Sequence, residues 1–376
     1  MTDDFDLIEQ VASSRGPESA LALLAAKFKE EKNYSMLFEV RLLVKRRELG
    51  LPLIATGSHD DLAEDTRPAY EQAFLEAARE AGSLFLAAGD VVRAWPYFRA
   101  IGDRAPVAAA IENWDSEQEV DIVLQIALEE RVNPRKGFQL LLARYGLCRA
   151  ITYFEQYPDP ATREQCAVLL IRSLHTELIE NLRQAIARRE GQEPEAAGVE
   201  TLIAGRDWLF GDLDSYVDTS HLIGVIRFAL DVTDSDALKL ALELCAYGAR
   251  LSANFHYQID PPFNDAYIDH AYYLRALLGE DTDAAVAHFR AKVAENDPSV
   301  TGSGPAQVLV ALLARLKRYS EAIQVSLDHL SALSPDQLAC PSVLQLCQLA
   351  GDYQLMRKLA RERGDLLSFT AAALHS

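Results

Sequence analysis

In nearly every segment longer than ten residues the apolar positions recur at helical spacing, and no alternating run of β-branched residues marks a strand. That pattern confines the chain to an all-α fold, because one face of a sheet needs alternation at every second residue whereas a helix face repeats about every 3.6. Proline sharpens the reading. Pro17, Pro68, Pro134, Pro160, Pro305 and Pro335 each stand where a helix would begin, and there the missing N–H leaves no bond unmade and the fixed φ suits the first turn. "SPDQ" at 334–337 and "SEQE" at 116–119 read as capping boxes. Helices of about 10 to 20 residues joined by short turns favour antiparallel neighbours, a chain of helical hairpins.

Two segments interrupt this rhythm. Residues 51–66, "LPLIATGSHDDLAEDT", read as one long loop. Residues 190–200, "EGQEPEAAGVE", are rich in Glu, Gly and Ala and read as a linker between an N-terminal helical array, 1–189, and a C-terminal set of hairpins, 201–376. With 376 residues, 49% of them hydrophobic, the chain is long enough for a large core.

Three stretches share one arrangement. They begin at Ala87 ("AAGDVVRAWPYFRAIGDRAP"), Leu277 ("LLGEDTDAAVAHFRAKVAENDP") and Arg315 ("RLKRYSEAIQVSLDHLSALSP"). In each, a turn precedes a small residue on a second helix and then a proline: Ala94 to Pro106, Ala285 to Pro298, Ala322 to Pro335. Phe98 and Phe289 lie four residues after the first two alanines, and Tyr353 follows Tyr319 by 34 residues. This resembles the tetratricopeptide repeat, with its alanine, aromatic, terminal proline and period of about 34 residues. The resemblance covers 80–106 and 262–364. It departs from the family in lacking the Trp of the first helix, and Ser326 and Ala360 stand where the aromatic is expected. It implies an α-solenoid of antiparallel helical hairpins, a right-handed superhelix whose concave groove holds a peptide or protein. No equivalent of the family's carboxylate clamp is found, so no binding residue follows from the resemblance.

The formal net charge is −19 and the sequence pI about 4.9. Such a field repels nucleic acid and anionic membranes. It is uneven along the chain: residues 27–48 hold seven Lys or Arg against four Glu, and 206–236 hold seven Asp against two Arg. A partner protein or peptide with a basic surface is the natural match for the acidic part. The five cysteines form no CxxC pair, and they read as small buried residues of a reduced compartment. The N-terminus "MTDDFDLIEQ" lacks a signal-peptide pattern and no apolar run approaches the ~20 residues of a membrane span. A cytoplasmic protein is expected, and no cofactor is called for.

The densest polar stretch is 256–270, "HYQIDPPFNDAYIDH". Asp260 before Pro261 reads as an N-cap. If a helix runs from Pro262 to Leu278, Asp269 falls about 40° from Asp265, whereas Phe263, Tyr267 and His270 cluster at roughly 120° to 200° from Asp265. His270 then belongs to the apolar face and the two aspartates form an outward acidic pair. In 211–230, "GDLDSYVDTSHLIGVIRFAL", Asp214, Asp218 and His221 fall within about 60° of one another if the whole stretch is helical. A carboxylate beside a histidine can orient a general base or a metal arm, or simply satisfy an interior hydrogen bond. The candidate ligand-binding set is Asp214, Asp218 and His221, with Arg227 to pair with an acid or an anion, and His256 and Tyr257 arriving from the later segment. No GxSxG, HExxH, P-loop or GxGxxG motif is present. Three readings result: a non-catalytic scaffold or adaptor that binds a protein or peptide; an all-α metal-dependent enzyme or ligand sensor built on 214–270; and nucleic-acid binding by the basic 27–48 helices, against which their four glutamates and the total charge count.

Overall fold

The computed structural model describes residues 3–54, 62–157, 159–195 and 198–375. Among them stand twenty α-helices and no strand, so the all-α expectation is met. The chain divides into two compact units, Met1–Arg144 and Tyr145–Ser376.

The first unit contains α1 (Asp4–Arg15), α2 (Pro17–Glu30), α3 (Tyr34–Glu48), α4 (Arg67–Ala87), α5 (Val91–Ala100), α6 (Ala105–Glu112) and α7 (Val120–Leu124), which runs on as a π-helical turn, Gln125–Glu129. Each of α1 to α5 packs on its successor. The division falls within α8 (Pro134–Glu155), beside Gly146, whose φ of 75° and ψ of 179° interrupt the helix in a conformation open to glycine.

The second unit continues with α9 (Pro160–Glu190), α10 (Val199–Ile203), α11 (Thr219–Phe228) and α12 (Ser235–Gly248). Leu170, Leu174, Leu178, Leu182 and Ile186 of α9 are fully buried and recur every four residues, one stripe along the helix, and α10, α11 and α12 all pack on α9. Then follow α13 (Ala266–Leu277), α14 (Thr282–Glu295), α15 (Pro298–Thr301), α16 (Gly304–Arg315), α17 (Tyr319–His329), α18 (Val343–Ala350), α19 (Tyr353–Glu362) and α20 (Leu366–Ala373). From α12 onward, the short α15 aside, each helix packs on the next, and one apolar core runs from Phe263 to Ala372.

The segment 190–200 lies inside the second unit rather than between units. The helix before it, α9, packs on α10 and α12 after it, and the Val199 N–H donates to Glu243 Oε2 at 2.9 Å. The same oxygen meets His175 Nε2 at 2.8 Å, tying α9, α10 and α12 at one point. Composition described the polarity of this segment and said nothing of the contacts that cross it. Residues 196–197 lie outside the described residues, as do 55–61 of the long loop. Where the loop is described, its two ends are tied: Arg46 Nε donates to Pro52 O at 2.6 Å and Arg67 Nη2 to Leu62 O at 3.1 Å.

Proline opens α2, α8 and α9 and stands second in α4 and α16, as its missing N–H allows. Pro335 opens only a single 3-10 turn, Pro335–Gln337, in which Ser334 N donates to Gln337 Oε1 at 3.0 Å. "SEQE" is not a capping box: Glu119 adopts a left-handed φ of 56° and α7 begins after it. Ala94, Ala285, Ala322 and Ala360 are all fully buried, as are Phe98 and Phe289. Small side chains at these positions let the helix pairs α4–α5, α13–α14, α16–α17 and α19–α20 approach closely. No described helix is long and apolar enough to cross a membrane.

Candidate functional site

The stretch 211–221 does not form a single helix. Helix α11 begins at Thr219, and Asp218 is its N-cap, accepting from Ser220 N at 2.8 Å and His221 N at 3.3 Å. The Ser220 hydroxyl and these amides hold the Asp218 carboxyl below the usual carboxylate range. Asp214 sits in the preceding turn, exposed, so the stripe expected for Asp214, Asp218 and His221 is corrected: an aspartate that caps a helix cannot also lie along its side. Arg227 is exposed at the far end of α11, with Nη2 3.9 Å from Glu155 Oε1.

His256 and Tyr257 follow a 3-10 turn, Ala253–Phe255. Tyr257 does reach α11: its hydroxyl lies 3.2 Å from Thr219 Oγ1. The His256 ring instead stands edge-on to Tyr267, with centroids 5.5 Å apart. Among the described residues no contact joins His256 to His221, and no three His, Cys, Asp or Glu side chains converge as a metal ion requires.

The polar centre of this unit lies elsewhere. The Pro261–Pro262 bond is cis, the chain turns through Asp260–Phe263 (Phe263 N to Asp260 O, 3.2 Å), and α13 starts at Ala266, four residues later than the sequence suggested. Asp260 is therefore a turn residue and not an N-cap. Asp269 is fully buried, contrary to the outward pair expected with Asp265. Its Oδ1 meets His288 Nε2 at 2.7 Å; its Oδ2 accepts from Lys292 Nζ at 3.0 Å and from Asp265 N at 2.8 Å. Asn264 Oδ1 takes a second Lys292 hydrogen at 2.7 Å, and the His288 ring stacks on Tyr272 with centroids 4.2 Å apart. A buried carboxylate is stable only with such partners, and here a lysine, a histidine and a backbone amide supply them.

On the neighbouring face of α13, His270 is fully buried, as expected from its apolar neighbours, and stacks on Phe263 at 4.1 Å. Its Nδ1 bonds the Ala266 carbonyl, its Nε2 has no partner, and burial pushes its pKa down to about 4. Tyr267 lies against Gly248 of α12, where no side chain would fit, and its buried hydroxyl has no partner; burial raises its pKa.

The sequence marks Asp269 only as half of an outward acidic pair, and it singles out none of His288, Lys292 and Asn264. One signal pointed to them: His288 and Lys292 lie four apart on a single helix, so they share a face and call for a common acid. No family model, curated protein or solved structure matches this chain.

Proposed function

We propose that the chain is a non-catalytic helical-hairpin scaffold, an α-solenoid of the tetratricopeptide-like kind, that binds a basic protein or peptide. The carrying observation is the serial packing of α12, α13, α14 and α16 to α20, each on the next, with the repeat-like alanines fully buried between them. Helices arranged this way share one continuous core and leave an extended surface for a partner.

The partner's chemistry is supported by the charge. All seven aspartates of 206–236, Asp207, Asp212, Asp214, Asp218, Asp231, Asp234 and Asp236, are exposed, on a chain of net charge −19. Part of the basic run 27–48 is paired with acids within its own unit. Arg41 holds Glu80 at 2.7 and 3.1 Å, Lys27 meets Asp4 at 2.8 Å and Glu31 at 2.6 Å, Lys45 meets Glu48 at 3.1 Å, and Arg46 is buried over the Tyr70 ring. That pairing favours a protein partner over nucleic acid. The five cysteines are free and three are buried, which supports a reducing, cytoplasmic setting.

The test is fluorescence anisotropy with a labelled lysine- and arginine-rich peptide, alongside an acidic peptide of equal length. Binding of the basic peptide alone, weakened by salt and by the triple variant Asp214→Asn/Asp231→Asn/Asp236→Asn, is expected. Salt-insensitive binding, or equal binding of both peptides, overturns the reading.

A further inference from the structure

The Asp269 network opens at one end onto a cleft of about 330 Å³, lined in part by Pro261, Asn264, Lys292, Glu295, Asp297 and Val300. Clefts that take small molecules run from roughly 300 to 1,000 Å³, so this one suits a ligand of few atoms.

Lys292 is only 16% exposed, and two of its hydrogens are directed to Asp269 and Asn264. An ammonium has three hydrogens, so one donor is left for the cleft. Asn264 accepts from Lys292 through its carbonyl, which leaves its amide hydrogens as further donors. Asp269 compensates the Lys292 charge, and it is itself saturated by His288, Lys292 and the Asp265 amide. The other charged groups of the cleft are acids. Glu295 is exposed, and its carboxylate has no partner among the described residues. Asp297 uses Oδ1 on Ser299 and keeps Oδ2.

A multiply charged anion such as phosphate is disfavoured here, because one compensated lysine faces two carboxylates. An amine alone leaves the Lys292 and Asn264 donors unmatched, and a bare carboxylate is repelled by the acids. A ligand carrying both groups satisfies the two ends together. We propose that this cleft binds an apolar α-amino acid, its carboxylate on Lys292 and Asn264, its ammonium toward Glu295 and Asp297, and its side chain against Pro261 and Val300. The site is independent of the acidic surface offered to a protein partner, and either can fail without the other.

The experiment is titration calorimetry of the full chain with L-leucine, L-valine, L-methionine and L-phenylalanine, with 4-methylpentanoate and 3-methylbutylamine as analogues lacking one charge. One-to-one binding of at least one amino acid is expected, with each analogue at least about tenfold weaker, as the loss of one charged hydrogen bond implies. Glu295→Gln changes an exposed side chain that has no partner among the described residues and keeps the wild-type melting temperature, whereas Asn264→Asp keeps the acceptor for Lys292 and removes the amide donors. Each is expected to weaken the amino acid by about tenfold. If none of the four amino acids binds, if an analogue binds as well as its parent, or if both variants bind as the wild type does, the proposal is wrong.

Discussion

Two aspartate–histidine groupings occur within the second unit, and they differ in burial. At the start of α11, Asp218 is exposed and faces backbone amides, with His221 half-buried beside it. Between α13 and α14, Asp269 is wholly buried and faces His288 and Lys292. The residue types are nearly the same. The first carboxylate stays hydrated and contributes what a cap contributes, whereas the second has given up its water and depends on every partner it has. Chemistry that needs a fixed, dry charge can be built only on the second.

The comparison breaks most directly through stability. Asp269→Ala leaves a buried cavity, takes its acid from Lys292 and its hydrogen-bond partner from His288, and is expected to cost about 3–5 kcal/mol. Urea unfolding measures it, and a loss no larger than that of a surface cap would erase the distinction. Next in size is a pH effect from His270. Its folded pKa of about 4 lies below the ordinary value of 6.5, so between those values the unfolded chain binds the proton and the folded one does not. Stability is therefore full above the unfolded pKa, falls as pH drops from about 6.5 to about 4, and levels off below, a loss on the order of 3 kcal/mol. His270→Leu should abolish most of that slope in denaturant melts taken at successive pH values.

Asp218→Ala removes the cap of α11 and should cost about 1 kcal/mol, clearly less than Asp269→Ala in the same assay. Smallest of all is Tyr257→Phe. It deletes an exposed hydroxyl contact with Thr219, and unfolding should shift by no more than about 0.5 kcal/mol. A larger shift would mean that the 253–260 segment braces α11, and would bring the two groupings closer in character than their burial suggests.

Much of the fold could be read from residue order. The helical periodicity, the prolines at the starts of α2, α8 and α9, and the buried alanines Ala94, Ala285 and Ala322 all express local rules, in which a residue's neighbours within one or two turns decide its place. The candidate site was less legible. Assigning Asp214 to a helix failed because Asp218 ends the preceding loop by capping α11. Assigning Asp269 outward failed because α13 packs on α11, α12 and α14, so a helix with one polar face in sequence has no wholly free face in space. A helical wheel measures angles within one helix, and it contains no term for a histidine and a lysine on the next.

What this sequence determined by itself was the secondary-structure class, the proline-marked starts of α2, α8 and α9, the net acidic charge and the apolar burial of His270, since each follows from composition, short-range sterics or hydrophobicity. Only the tertiary structure decided which acid is buried, which side chains satisfy it and where a cleft opens beside them. Those outcomes depend on residues 19 and 23 positions away from Asp269, brought within hydrogen-bonding reach. The cost of removing a carboxylate from water is recovered only when both partners arrive together, and that is a property of the packed helices rather than of any one of them.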